Sequence, residues 1–166
     1  EKAWFSGLGD WYLYSKRGDN SWVRHGDVGI QEGFDEQERH ILIHVAREYQ
    51  DGEAQWMANK IRDFLGLFGP HLVQDLLWCD TSVAAKAPSG PLSRHFKGSG
   101  MVFCQESWSD GAARANFRAV PYYMEGHTHL DQCSFTIFYK GGLALDSGIY
   151  DDFASTHYLS YYSRTI

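Results

Sequence analysis

"GHTHLDQCSFTIFYKGGLALDSGIY", residues 126–150, decides how the fold is read. Two apolar segments, "CSFTIFYK" and "LALDSGIY", flank Lys140-Gly141-Gly142. Glycine tolerates the positive φ of tight turns, so the pair reads as an antiparallel hairpin. Alternate residues of a strand share a face. As one strand, residues 126–139 would line up His127, His129, Asp131, Cys133, Phe135, Ile137 and Tyr139, apolar half in the core and polar half at its rim. Two histidines at this spacing can chelate a metal that a carboxylate completes. The same groups suit proton transfer, and a polar strand end facing water is the third reading. His-x-His alone does not choose among them, because the chain has eight His.

Asp146 is the other candidate ligand. A two-residue turn at Gly141-Gly142 puts it opposite Ile137. His129 then lies roughly 26 Å farther along at about 3.3 Å per residue, so the two meet only if residues 129–133 curl back.

Outward from this hairpin the chain divides at Pro88-Ser89-Gly90-Pro91, a breaker cluster. After it, "GMVFCQESW", "ARANFRAVPYY" and the hairpin read as strands. Before it, "EQERHILIHVAREYQ" carries Leu42, Val45, Ala46 and Tyr49 on one helix face. Asp51 is placed to cap a following helix, "EAQWMANKIRDFLG", with Trp56 or Met57, Ile61, Phe64 and Leu65 on one side. "PHLVQDLLW" opens with a Pro suited to a first helical turn. The opening "WFSGLGDWYLYSKRGDNSWVRHGD" reads as aromatic and loop-rich. The expectation is an α+β protein, helical over residues 1–87 and antiparallel β over 92–166.

Composition narrows the function. The 166 residues are 43% hydrophobic and 22% charged, enough for a sizeable core. A net charge of −6 argues against a nucleic-acid partner. No run reaches the ~18 apolar residues of a membrane span. Three Cys without C-x-x-C spacing indicate neither a disulfide framework nor a zinc ribbon. The 16% aromatic content fits stacking surfaces for carbohydrate, and it fits an aromatic core as well. No P-loop, dinucleotide fingerprint or G-x-S-x-G is present. The chain opens without Met and stops inside a pattern, and so reads as a fragment.

Taken together, Gly126-His127-x-His129-x-Asp131, Ser134-Phe135, the hairpin glycines, Asp146-Ser147-Gly148-x-Tyr150 and the Tyr-rich approach to Arg164-Thr165 resemble the heparinase II/III family of polysaccharide lyases. The resemblance covers about forty residues, in order. "YSKRGDNSW" adds a weaker likeness to the heparinase II branch. It implies the last helices of an (α/α) toroid followed by the first strands of an antiparallel β-sandwich, with the site between the two domains. It implies that an acidic, uronate-containing polysaccharide is the substrate, cleaved by β-elimination in the periplasm or outside the cell. Carried over by position, His127 matches the catalytic histidine, and Tyr158 or Tyr161 the active-site tyrosine. His129 and Asp146 match ligands of a metal, usually zinc, with a third ligand past Ile166. Arg24 and His25 are candidates to contact a sugar acid. One departure stands out: many members have Arg-Ser before the first sandwich Trp, where this chain has Gln105-Glu106-Ser107-Trp108. Two rival readings are a cupin-type metal enzyme, which wants a Glu where "LDQCSF" has none, and a non-catalytic carbohydrate-binding sandwich.

Overall fold

A computed structural model describes residues 2–23, 25, 33–66, 72–121 and 132–145. Five helices precede five strands: α1 (Lys2–Ser6), α2 (Leu8–Ser15), α3 (Glu36–Tyr49), α4 (Gly52–Leu65), α5 (Leu72–Trp78), β1 (Ser93–Phe96), β2 (Met101–Gln105), β3 (Arg114–Arg118), β4 (Phe135–Phe138) and β5 (Gly142–Ala144). This is an α+β protein. It divides into two compact units, Glu1–Lys16 with Gly33–Gly90, and Arg17–Glu32 with Pro91–Ile166.

In the helical unit, α3 starts where Asp35 can satisfy the first orphan amides. Its carboxylate accepts from the backbone N–H of Gln37 and Glu38 at 2.7 and 3.1 Å, and the Glu38 carboxylate accepts from the Asp35 N–H at 2.8 Å. This reciprocal box fixes the helix start. The helix ends at Gln50, which takes the left-handed conformation at φ 53° and donates its N–H to the Ala46 carbonyl. Asp51 then caps α4, accepting from Glu53 and Ala54 at 2.9 and 3.0 Å. Replacing Asp35 by Ala should cost about 1 kcal/mol of stability, read as a lower urea midpoint with an unchanged slope.

The α3–α4 hairpin is the core of this unit. Leu42, Val45 and Ala46 on α3 and Ala54, Met57, Ala58 and Ile61 on α4 are all buried. Alanines at these steps let the two backbones approach closely. Tyr49 and Phe64, expected on the buried faces, are exposed instead, and Ile43 and Arg39 are buried. Tyr49 is the last residue of α3 and Phe64 is the next-to-last of α4. Helix ends extend beyond the neighbouring helix, so periodicity overcounts the buried face there. Arg39 stays charged inside the unit: burial opposes its charge, but hydrogen bonds to Glu36 and Asp75 more than offset that and hold its pKa above the ordinary value. Its bond to Asp75, with Arg47 donating to the Leu77 carbonyl at 3.1 Å, ties α5 to α3. The opening segment is helical (α1, α2), not the expected loop. Gly7 ends the first helix and α2 buries Gly9, Leu13, Tyr14 and Ser15.

The second unit carries an antiparallel sheet in the order β1-β2-β3-β4-β5. Its register sets Phe103 opposite Asn116 and Asn116 opposite Thr136; the next row sets Gln105 opposite Arg114 and Arg114 opposite Phe138. Two expectations for the hairpin fail. Ile137 pairs with Ala144, not with Asp146, and Phe138 pairs with Gly142 across an irregularity. The turn therefore spans residues 139–141, with Lys140 left-handed at φ 55°. The buried face is also the opposite one: Phe135, Ile137 and Tyr139 are exposed, while Thr136 and Phe138 are buried. The alternation cannot run back from β4 through Cys133, because Cys133 sits at φ 66°, outside the β region.

Candidate functional site

The segment after α2 forms a tight turn onto the sheet. Arg17 N–H donates to the Ser21 carbonyl at 2.7 Å, Asn20 is left-handed at φ 59°, and the Ser21 hydroxyl donates to the Asp19 carboxylate at 2.5 Å. Gly18 permits the fit, since a Cβ there would stand 1.9 Å from the Asp110 carbonyl oxygen. The turn delivers the buried Arg17, whose guanidinium lies 4.7 Å from the centre of the Phe138 ring. A cation on an aromatic face is favourable when desolvated.

Four residues farther on, at the half-buried His25, the same segment meets β3. The Asn116 side-chain N–H donates to His25 Nε2 at 2.7 Å. The Asn116 carbonyl in turn accepts from the Thr136 hydroxyl on β4. His25, Asn116 and Thr136 thus join the 17–25 segment to two adjacent strands through polar groups.

In the next row, Arg114 donates to the Gln105 side-chain carbonyl and, at 3.2 Å, to the Ser109 backbone carbonyl. Both side chains are buried. Burial pushes the Arg114 pKa down, and the field of Asp110 partly opposes it. Gln105 belongs to the segment Gln105-Glu106-Ser107-Trp108, and Arg114 is its cross-strand partner.

Of the residues the sequence singles out, the structure describes His25 and places it against Asn116. Arg24, His127, His129, Asp131, Asp146, Tyr158 and Tyr161 lie outside the described residues. Among the described residues no group of three His, Cys, Asp or Glu could hold a metal. Also among them, no helix is long and apolar enough to cross a membrane. The polar ladder of Gln105, Arg114, Asn116 and Thr136 was not anticipated. Its signal was the alternation in "ARANFR", where Arg114, Asn116 and Arg118 share one face and Ala115 and Phe117 the other.

A helical unit followed by a five-stranded antiparallel meander defines the class of architecture. The fold matches solved lyase structures along most of the chain. The "Heparinase III-BT4657 gene product" superposes with a TM-score of 0.60 at 17% identity, over 92% of this chain and 20% of that one. Heparan sulfate lyase HepC from Pedobacter heparinus gives 0.59 at 18% identity, over 90% of this chain and 20% of its own. The chain therefore spans about a fifth of these proteins' length. No protein-family model matches it, and a comparison with curated proteins finds no match.

Proposed function

We propose that the chain is part of a polysaccharide lyase of heparinase II/III type that cleaves an acidic, uronate-containing polysaccharide by β-elimination. The observation that carries this reading is the coincidence of two independent likenesses: the ordered Gly-His-x-His to Arg-Thr motif, and a fold shared with heparinase III and HepC structures over nine-tenths of the chain. In this reading the helices close an (α/α) toroid and the meander is one layer of a β-sandwich. The outer face of the sheet supports the second point. Phe117, Phe135 and Ile137 are exposed there, an apolar surface that a second sheet would cover.

The reaction removes the proton at C5 of the uronate and breaks the C4–O bond. The electron pair of the C–H bond becomes the C4=C5 double bond, and the departing oxygen takes up a proton. An imidazole or phenol held against the substrate can move these protons. The assignment gives His127 the uronate end, with Tyr158 or Tyr161 at the leaving oxygen, and Arg24 and His25 as contacts to the sugar acid. Imidazole and carboxylate are donors that zinc accepts, so His129 and Asp146 would hold it, where it would supply a structural pin for the segment that presents His127. Secretion, to the periplasm or beyond, belongs to the same proposal, because that is where such polymers are met. The test is ultraviolet absorbance of the unsaturated uronate during incubation of the full-length protein with a panel of uronans. Growth of that absorbance with at least one of them is expected; none with any would refute the activity.

A further inference from the structure

We infer that the junction between α3 and α5 is a proton-operated latch: a charged His40 holds α5 down, and a neutral one loosens it. The inference is independent of the lyase reading. No residue of α5 is buried, so its hold on α3 rests heavily on polar and aromatic contacts. Those contacts converge on one stretch of α3. The Asp75 carboxylate bonds to Arg39 and lies 3.8 Å from His40 Nε2. Glu36 accepts from Arg39 at 2.6 Å and is also 3.8 Å from His40 Nε2. At the end of α5, the Trp78 ring makes edge contacts with His40 and His44, at centroid distances of 5.7 and 6.2 Å.

Charge decides the sense of the switch. Glu36 and Asp75 are negative and Arg39 is positive. With a neutral imidazole the cluster keeps one negative charge in excess; with an imidazolium it balances. Arg39 opposes that proton, since its terminal nitrogen is 3.5 Å from His40 Nε2. Two attractions at 3.8 Å outweigh one repulsion at 3.5 Å in the same surroundings. All four side chains are less than one-fifth exposed, so salt and solvent screen them little. Other charges nearby are engaged elsewhere. Arg47 donates to the Leu77 carbonyl and approaches Glu48. On α4, Glu53 pairs with Lys86 and Arg62 with Asp63, and Lys60 lies over Trp56. On α2, Tyr12 lies in the field of Glu38 and Asp35. When α5 leaves, Asp75 goes with it, and His40 loses one of its two carboxylates. The docked form therefore favours the proton, and by linkage the proton favours docking. Docking is strongest below the ordinary histidine range, about pH 6.5, and weakens as pH rises through it.

Hydrogen exchange of the full-length protein, at about pH 5.5 and about pH 8 and corrected for intrinsic rates, tests this; histidine is the side chain that ordinarily titrates in that window. Amides of α5, measured against those of α4, should be about three-fold or more better protected at the lower pH. His40→Gln should remove the difference, and His44→Gln should keep it. Equal protection at both pH values, or better protection at the higher one, would overturn the inference. So would a difference that survives His40→Gln or disappears in His44→Gln. If His40→Gln does not fold, Asp75→Asn decides, because it takes away the carboxylate that moves with α5. A difference that survives there overturns the inference.

Discussion

Replacing His127 by Ala in the full-length protein is expected to lower turnover of an acidic polysaccharide by about 100-fold or more. Bound zinc and the unfolding midpoint should stay as in the parent protein. The expectation follows from the division of labour proposed for the motif. His129 is given to the metal, while His127, two residues earlier, is left free to act on the uronate. A proton-transfer group acts in the transition state more than in the ground state, so the loss should fall mainly on kcat, with KM changed little. Kinetics and metal analysis on the same preparation separate the alternatives. Near-normal kcat would remove His127 from the catalytic set. Loss of zinc together with activity would move it among the ligands.

The second large effect is on stability. Leu42→Ala should destabilise the helical unit by about 3 kcal/mol, because its side chain is wholly enclosed and the cavity left behind closes only in part. Natural domains hold roughly 5–15 kcal/mol in all, so this one change removes a large share. Tyr49→Ala, one helical face along in the same α3, should cost less than about 1 kcal/mol, since Tyr49 is 39% exposed. Periodicity alone gives the two residues the same role. Urea unfolding of both variants checks the difference: equal losses would mean that α3 buries its last turn after all.

Local rules with one physical cause were readable in advance. The Asp51 cap, the α3 and α4 segments and the β2, β3, β4 and β5 regions all follow from short-range periodicity and capping chemistry. Features set by tertiary context were not. The 3.6-residue pattern could not tell that α1 and α2 were helices, because Gly7, Gly9 and clustered aromatics imitate a loop. Strand β1, "SRHF", has no run of apolar residues to announce it and is held by pairing with β2. The sheet was assigned the wrong inner face for a similar reason. Hydrophobicity favoured Phe135 and Ile137, whereas the buried side mixes Phe103 and Phe138 with polar pairs set by the register: Gln105 meets Arg114 and Asn116 meets Thr136. Such a face costs free energy unless its groups find partners, and only the three-dimensional register shows which of them pair. For the candidate site, the residue types in Gly-His-x-His and the tyrosine-rich segment raised the chemical hypothesis. The contact between Asn116 and His25 spans 91 positions of sequence, beyond the reach of any motif.

Elimination is the reaction proposed for the full-length protein. Mass spectrometry of the oligosaccharides released by the full-length protein, with the digestion run in oxygen-18 water, tests it most directly. The account predicts fragments whose new non-reducing ends are lighter by one water than hydrolysis products, with no heavy oxygen incorporated at the cleaved bond. Fragments of full hydrolytic mass that carry the label would contradict it.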